Sequence, residues 1–266
     1  MDGLHNVRAV ISDMDGVLWR GETSLPGVAE FFGGLRRRGI PFVLATNNAT
    51  ATFSEVSRRL TALGLRLSQE EVLTSARAAA SFLRHQLPAG ASVLAVGEAG
   101  LTSALSHAGF SLVDKAESAV AVVAGLDRSV TWGKLTEAAL AIRGGAMFVA
   151  TNMDPTFPSE RGLVPGAGAL IAVLETACGC HPIVIGKPEP HLFLEALEYL
   201  HAPAEATLVL GDRIETDIIG GQRAGMRTAL LMTGVTNHEI LAASKVRPDW
   251  IFDDLHAATA ALLGLR

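Results

Sequence analysis

Short apolar runs alternate along the chain with longer amphipathic segments rich in Ala and Leu. The runs are only a few residues long and rich in β-branched residues, which favours strands, whereas the longer segments repeat apolar positions at helical spacing. Strands that alternate with helices are typical of a parallel α/β sheet. Nine strands are predicted, at residues 8–12, 41–45, 72–74, 92–96, 120–124, 147–150, 182–185, 207–210 and 227–231.

The helices are predicted between these strands and after the last one. The first carries Val28, Phe31, Phe32 and Leu35 on one stripe, and the pattern predicts that Pro26 opens it and Gly39 ends it. The others are predicted at residues 54–63, 76–87, 101–107, 134–142, 166–176, 190–200, 216–224 and 255–263. In such sheets functional residues gather at the carboxyl ends of the strands.

Composition excludes several classes of protein. Hydrophobic residues make up 49% and charged residues 18%, and the net charge is −5, which excludes a disordered chain and argues against a nucleic-acid partner. Mean hydropathy is +0.33, but the longest uncharged run, Gly39 to Ser54, has 16 residues, against about 20 for a spanning helix. We therefore expect no membrane partner and a large buried core.

Cysteine usage and the N-terminal residues bear on the cellular setting. Cys178 and Cys180 cannot support a disulfide framework, and two ligands alone do not make a zinc site; their role is not readable from the sequence. The chain starts without a basic region followed by an apolar stretch, so no secretory leader is predicted. A reducing, cytoplasmic setting is the expectation.

Polar clusters follow four of the predicted strands. Taken singly, each has an ordinary explanation as a helix cap, a turn or a solvated charge. Together they place a carboxylate pair, small hydrogen-bonding groups, a lysine and a second carboxylate pair at one edge of a sheet. The clusters are Asp13-Met14-Asp15-Gly16, Thr46-Asn47-Asn48, Gly186-Lys187-Pro188 and Gly211-Asp212 through Asp217.

Three or four carboxylates cannot remain ionised side by side without a cation, because like charges favour protonation. Mg²⁺ is a hard cation that prefers oxygen ligands and also binds phosphate oxygens of a substrate. A carboxylate, a metal, a lysine and a Thr hydroxyl around one point describe a phosphoryl-transfer site. The sequence therefore predicts Mg²⁺ as cofactor.

These clusters resemble the four motifs of the haloacid-dehalogenase (HAD) superfamily phosphatases. The resemblance is closest to subfamily IIA, the NagD and 4-nitrophenylphosphatase type, which includes phosphoglycolate and pyridoxal phosphatases, and it covers nearly the whole chain. The further segments that carry it are Asp-Gly-Val-Leu-Trp at 15–19, Thr151-Asn152-Met153-Asp154, Val164 to Ala169, Gly186 to Pro190 and Gly211 to Ile218.

The resemblance implies a role for each residue. Asp13 is the nucleophile that forms an aspartyl-phosphate, and Asp15 is the general acid and then the general base. Thr46, Asn47 and Lys187 bind the substrate's phosphoryl group. Mg²⁺ is held by Asp13, by the main-chain carbonyl of Asp15 and by Asp212. Asp217 is expected to support the water shell of the metal or Lys187 rather than to bind the metal directly.

The resemblance also implies the domain organisation. Residues 1–78 and 182–266 form a doubly wound, Rossmann-like HAD core, and residues 79–181 form an inserted α/β cap of the C2 type that closes over the site. Asn152 and Asp154 are the candidates for substrate specificity on this cap. A homodimer formed through the cap is a possible assembly. Ala49 departs from the pattern, since a Ser is frequent after Thr-Asn-Asn.

Two alternatives remain open. Within catalysis, the substrate could be a nucleoside monophosphate, a sugar phosphate, phosphoglycolate, pyridoxal phosphate or glycerol phosphate, because the motifs recognise only the phosphoryl group that all of these share. Outside catalysis, a phospho-accepting receiver module also uses Asp, Mg²⁺, Thr and Lys on a parallel sheet. A receiver lacks a carboxylate two residues after the phosphorylated Asp, so Asp15 discriminates between the two.

Overall fold

The computed structural model describes residues 4–159 and 161–264. Two parallel sheets organise the chain, one of six strands in the order β15-β14-β13-β1-β4-β5 and one of five strands in the order β12-β9-β8-β6-β7. The strands are β1 Ala9–Ser12, β2 Trp19–Arg20, β3 Thr23–Ser24, β4 Phe42–Thr46, β5 Val72–Thr74, β6 Ser92–Val96, β7 Ser111–Leu112, β8 Ala121–Ala124, β9 Met147–Ala150, β10 Thr156–Ser159, β11 Gly162–Pro165, β12 Ile183–Val184, β13 Thr207–Gly211, β14 Arg227–Leu231 and β15 Trp250–Phe252.

Helices connect most of the parallel strands. They are α1 Val28–Arg37, α2 Phe53–Ala62, α3 Ser75–Gln86, α4 Ala99–His107, α5 Trp132–Arg143, α6 Ala167–Cys178, α7 His191–Leu200, α8 Ile219–Arg223, α9 His238–Ala243 and α10 Leu255–Leu263. A π-helical turn, Ile214–Ile218, precedes α8. Among the described residues, no helix is long and apolar enough to cross a bilayer.

The chain divides into two compact units. The six-stranded unit comprises the chain up to Thr46, Ser57–Leu73 and the chain from Lys187 onward. The five-stranded unit comprises Asn47–Val56 and Thr74–Gly186. The segment predicted as the insert, residues 79–181, lies within Thr74–Gly186, which extends further at both ends. The segment Asn47–Val56 was assigned to the core by sequence, but it clusters with the five-stranded unit.

The core of the six-stranded unit explains its apolar sequence. Strands β1, β4 and β13 are buried along their whole length, as expected of parallel strands covered on both faces. Parallel pairing sets Ile11 beside Val209 on one side and Val43 on the other. Strands β1, β4 and β13 therefore end at the same edge of the sheet, where they deliver the residues that follow them.

The five-stranded unit has its own core and its own α/β architecture. All pairs in its sheet are parallel, and Leu94, Val122, Phe148 and Ile171 are buried between the sheet and helices such as α5 and α6. The alternation of strands and helices predicted from sequence, and the α/β class, are confirmed for both units.

The structure corrects several elements. The helix predicted to open at Pro26 begins at Val28, because Gly27 has a left-handed backbone with φ of 81°. The helix predicted at 216–224 begins as the π-helical turn, in which the Ile219 amide donates to the Ile214 carbonyl five residues back. Strands β2, β3, β7, β10, β11 and β15 and helix α9 were not predicted, since most are only two to four residues long or lie in polar segments.

Candidate active site

The end of β1 brings Asp13 to the edge of the six-stranded sheet. Its amide donates to the Leu210 carbonyl at 2.8 Å, which continues the ladder between β1 and β13 by one residue. Its side chain is nearly buried, with 8% of the residue exposed. The backbone of this strand therefore fixes where the Asp13 carboxylate lies.

Lys187 is the cation of the site and is 3% exposed. Its Nζ donates to Asp13 Oδ1 at 2.5 Å, to Asp217 Oδ1 at 2.6 Å and to the Ala45 carbonyl at 3.1 Å. These partners come from three different stretches of the chain, so Lys187 joins the predicted nucleophile to the carboxylate cluster at the end of β13. The structure thus brings together Asp13, Lys187 and Asp217. The expectation that all four clusters follow strands of one sheet is wrong for Lys187, because the strand before it, β12, pairs with β9 in the five-stranded sheet.

Asp212 follows β13 and packs against two glycines. A Cβ on Gly16 would lie 2.4 Å from Asp212 Oδ2, and one on Gly234 would lie 1.7 Å from it, so only glycine fits at either position. The Val235 amide donates to Asp212 Oδ2 at 2.6 Å. Gly16 also has a backbone φ of +79°, which residues other than glycine rarely adopt. The Asp212 carboxylate is therefore held against bare backbone.

Asp217 is 1% exposed and lies in the π-helical turn. Besides the contact of Oδ1 with Lys187, its Oδ2 accepts a hydrogen bond from the Arg213 amide at 3.2 Å. A Cβ on Gly211 would lie 2.3 Å from the Asp217 Cβ, so the absence of a side chain at Gly211 lets Asp217 approach the strand. π-Helical turns are rare and often mark functional sites.

Electrostatics show that the carboxylates are crowded. Burial raises the pKa of Asp13 well above its usual value, and the charges of Asp217 and Asp212 raise it further against the opposing charge of Lys187. Burial, with the charge of Asp217, raises the pKa of Asp212 to about 6. Burial alone would lower the pKa of Lys187, but the charges of Asp13 and Asp217 outweigh burial and raise it. One lysine does not balance three carboxylates.

The carboxylate cluster fits a divalent cation. Carboxylate oxygens of Asp13, Asp212 and Asp217 all lie within 4.8 Å of one another, and all three residues are buried. Carboxylate oxygens are the ligands that a hard divalent cation prefers. A cation here would also reverse the like-charge repulsion that raises the carboxylate pKa values. The residues present therefore suit the metal that the sequence predicts.

Asp15 is exposed, but its side chain is held. The indole Nε1 of Trp19 donates to Asp15 Oδ1 at 2.8 Å. Asp15 comes two residues after Asp13, so the loop that follows β1 carries both carboxylates. This is the arrangement that the resemblance predicts for a nucleophile and an acid/base residue.

The Thr-Asn-Asn segment divides between the two units. Thr46 ends β4 and is 3% exposed. In the five-stranded unit, the Asn47 carbonyl accepts hydrogen bonds from Ser75 Oγ at 2.7 Å and from Asn152 Nδ2 at 2.8 Å. Asn47 Nδ2 donates to Asp154 Oδ2 at 3.2 Å. Asn152 and Asp154, predicted as specificity residues, therefore contact the predicted phosphate-binding segment.

Comparisons with known proteins identify the family. Residues 10–111 match the family model described as haloacid dehalogenase-like hydrolase, and residues 184–258 match the one described as HAD-hydrolase-like. An acid sugar phosphatase of Staphylococcus aureus (strain USA300) is 40% identical over 255 residues, which cover 96% of this chain and 98% of that protein. The chain belongs to the HAD-like hydrolases.

Solved structures agree with this assignment. A p-nitrophenyl phosphatase from Archaeoglobus fulgidus superposes with a TM-score of 0.91 at 33% identity, covering 96% of this chain and 99% of that one. A glycerol phosphate phosphatase from Mycobacterium tuberculosis, solved in complex with magnesium, gives a TM-score of 0.88 at 39% identity, covering 97% and 78%. The fold class, the resemblance to HAD phosphatases and the assignment as a phosphoric monoester hydrolase are confirmed.

Sequence reasoning missed two parts of the site of this HAD-like hydrolase. One is the segment after β14, where Val235 binds Asp212 and the Thr233 hydroxyl donates to the Gly16 carbonyl at 2.6 Å. The rule that polar groups at strand ends carry function could have found this segment, because it follows a predicted strand. The other is the contact of Trp19 with Asp15: Trp19 lies in a segment that carries the resemblance, but this contact depends on the path of a tight loop and was not predicted.

Proposed function

We propose that this HAD-like hydrolase removes the phosphoryl group from small phosphorylated metabolites through an aspartyl-phosphate on Asp13, with Mg²⁺ as cofactor. The observation that carries the proposal is the buried contact of Lys187 with both Asp13 and Asp217, beside Asp212. We propose sugar phosphates and glycerol phosphate as the substrate class, because the relatives are named for these two.

The first step forms the intermediate. A carboxylate oxygen of Asp13 attacks phosphorus, the bond from phosphorus to the ester oxygen breaks, and Asp15 gives a proton to the departing alkoxide. The Lys187 ammonium, 2.5 Å from Asp13 Oδ1, opposes the effect of burial on the Asp13 pKa and so favours the ionised carboxylate that attacks. When bound, Mg²⁺ supplies positive charge that offsets the negative charge on the phosphoryl oxygens.

The second step releases phosphate. Asp15, now ionised, takes a proton from a water molecule that attacks phosphorus, and the bond from phosphorus to the Asp13 oxygen breaks. Asp13 is regenerated as a carboxylate and Asp15 as an acid. Asp217 and the Ala45 carbonyl hold Lys187 in place through both steps.

The five-stranded unit is proposed to be the inserted cap that governs which substrates are accepted. Its α/β architecture and its place in the chain, between the second and third motifs, support this proposal. Pairing through the cap remains the proposed route to a homodimer.

A phosphate-release screen tests the reaction and its metal. About a hundred phosphorylated metabolites are compared by kcat/KM with Mg²⁺ and then with EDTA. We expect turnover of sugar or glycerol phosphates, its loss with EDTA and its return with added Mg²⁺, because the carboxylate cluster needs a cation. Hydrolysis that persists in EDTA would contradict the proposal that the reaction requires Mg²⁺. A stable phosphorylated protein that releases no phosphate would favour a receiver-type module.

Asn152→Ala tests the anchoring of the Thr-Asn-Asn segment. The variant removes a side-chain donor to the Asn47 carbonyl, and we expect KM and the inhibition constant of inorganic phosphate to rise about tenfold, with a smaller change in kcat. The loss of this partly buried hydrogen bond should cost about 0.5–1.5 kcal/mol of stability, since the Asn47 carbonyl still accepts from Ser75 Oγ. Ser75→Ala, which removes the donor Ser75 Oγ to the same carbonyl, is the matched comparison. A loss of stability with unchanged phosphate affinity would leave Asn152 a purely structural role.

A further inference from the structure

The indole of Trp19 lies between the predicted acid/base residue and a cation. Trp19 is 3% exposed, its Nε1 donates to Asp15 Oδ1, and the guanidinium carbon of Arg59 lies 3.9 Å from the centroid of its ring. All three residues belong to the six-stranded unit. We propose that Trp19, supported by Arg59, is a positioning residue that holds Asp15 ready to protonate the leaving group. This inference rests on the acid/base role of Asp15 in the proposed function.

The loop after β1 explains why a residue four positions later reaches Asp15. The Leu18 amide donates to the Met14 carbonyl at 2.8 Å, and the Gly16 amide donates to the Trp19 carbonyl at 2.7 Å. The chain therefore turns back on itself between these residues. Trp19 then pairs with Ser24 in the β2–β3 hairpin, which fixes its backbone.

The chemistry of the indole suits this task. Asp15 is exposed, so packing alone does not fix its side chain. An indole N–H only donates, so Trp19 cannot accept the proton that Asp15 must deliver. Its hydrogen bond occupies Oδ1 and leaves Oδ2 as the oxygen that carries the proton. A carboxylic acid held in one orientation protonates a departing alkoxide more effectively than one that samples several.

Arg59 supports the opposite side of this contact. It extends from helix α2 over the ring of Trp19, and a guanidinium on an aromatic face is attracted by the electrons of the ring. Its NH2 group also donates to the Gly21 carbonyl, so the guanidinium is tied to the same hairpin as the indole. The cation therefore restrains the ring in the orientation that reaches Asp15.

Trp19→Phe keeps an aromatic ring but removes the N–H donor and one ring of the indole, and comparing two leaving groups separates positioning of the acid from the effect of lost ring volume. The readout is kcat/KM, which reports the step in which the leaving group departs, for glycerol phosphate and for 4-nitrophenyl phosphate. An alkoxide needs a proton to leave, whereas a nitrophenolate is stable without one. We expect a fall of about 10- to 100-fold for glycerol phosphate and less than about threefold for the nitrophenyl ester.

Three further variants complete the experiment. Arg59→Met should lower kcat/KM selectively for glycerol phosphate, by a smaller factor than Trp19→Phe does. Arg59→Lys should have part of the kcat/KM that Arg59→Met loses. If Trp19→Phe does not fold, these two variants test the inference. Trp132→Phe alters a tryptophan that is 80% exposed in the five-stranded unit, and it should leave kcat/KM unchanged for both substrates. Equal losses on both esters, or no loss on either, would overturn the inference.

Asp15→Asn distinguishes failure of the inference from failure of the proposed function. If this variant loses kcat/KM selectively on glycerol phosphate while Trp19→Phe does not, Asp15 is the acid and the positioning role of Trp19 is wrong. If Asp15→Asn itself shows no selectivity for the leaving group, the acid role fails, and the inference about Trp19 fails with it.

Discussion

Asp13→Asn should lower kcat by at least about four orders of magnitude on every substrate, since an amide is far too weak a nucleophile to form the aspartyl-phosphate. The substitution is nearly isosteric. Lys187 would keep its hydrogen bonds to Asp217 at 2.6 Å and to the Ala45 carbonyl at 3.1 Å, so we expect the fold to persist. Burial raises the pKa of the Asp13 carboxyl group, which shows that its charged form is disfavoured in the folded protein. Replacing this carboxylate with a neutral amide should therefore favour stability.

The decisive measurement is capture of the intermediate. Wild-type protein mixed with radiolabelled substrate and quenched in acid within one turnover should carry an acid-stable, alkali-labile phosphoryl group, and Asp13→Asn should carry none. Asp253→Asn, which alters an exposed carboxylate of the same unit, is the matched control and should behave as wild type. Phosphoenzyme formation by Asp13→Asn would show that another residue is the nucleophile.

The parts of this fold that the sequence predicted well are those set by local composition. Buried parallel strands are continuous apolar runs, so β1, β4 and β13 stand out, and the residues after them follow by position alone. Because the carboxyl ends of parallel strands share an edge, Asp13 and Asp217 could be expected to meet. The strand before Lys187, β12, lies in the five-stranded sheet, so this rule does not account for the position of Lys187. The structure places Lys187 Nζ in contact with both carboxylates.

Features that depend on the path of a loop could not be predicted. The contact of Trp19 with Asp15 requires the chain to reverse after Gly16, and the contact of Gly234 with Asp212 requires the loop after β14 to cross the end of β13. The π-helical turn sets the direction of Asp217, and it differs from an α-helix only in its hydrogen-bond register. None of these is encoded in residue spacing.

The division of the chain into units was also only partly predictable from the sequence. The segment Asn47–Val56 follows a core strand in sequence, yet its contacts belong to the five-stranded unit. The Gly100 amide donates to the Thr50 carbonyl at 2.8 Å, and a Cβ on Gly100 would lie 2.5 Å from the Ala49 carbonyl. A close backbone approach of this kind has no periodic signal, so the sequence assigned the segment to the core.

Asp212→Asn should make the metal-free protein more stable at neutral pH and at the same time lower its Mg²⁺-supported activity at least about a thousandfold. The carboxylate of Asp212 is buried beside Asp217, and its pKa rises from 3.8 to about 6 on folding. The folded state thus holds this proton more tightly than the unfolded state. The stabilisation is complete below pH 4 and is lost as the pH rises through about 6.

A shift from 3.8 to about 6 corresponds to an upper limit of about 3 kcal/mol of lost stability at pH 8. An Asn side chain has no such charge and can still accept the hydrogen bond of the Val235 amide. In EDTA, we therefore expect the Tm of the wild type to fall between pH 4 and 8 and that of Asp212→Asn to fall less. Because the pKa of Asp13 is also raised, the Tm of both proteins should still fall to some extent as the pH rises.

With added Mg²⁺, the wild type should have a higher Tm than Asp212→Asn, the reverse of the order expected in EDTA. A cation that binds only the folded state raises its stability, so the Tm of the wild type at pH 8 should rise with Mg²⁺ concentration, whereas that of Asp212→Asn should barely change. Asp253→Asn should follow the wild type in EDTA and in Mg²⁺. If Asp212→Asn in EDTA at pH 8 were less stable than the wild type, the crowded carboxylates would not be the groups that destabilise the metal-free protein. The expected crossing of the two Tm values would show that the residues that suit the site to a cation are also those that weaken the fold without one.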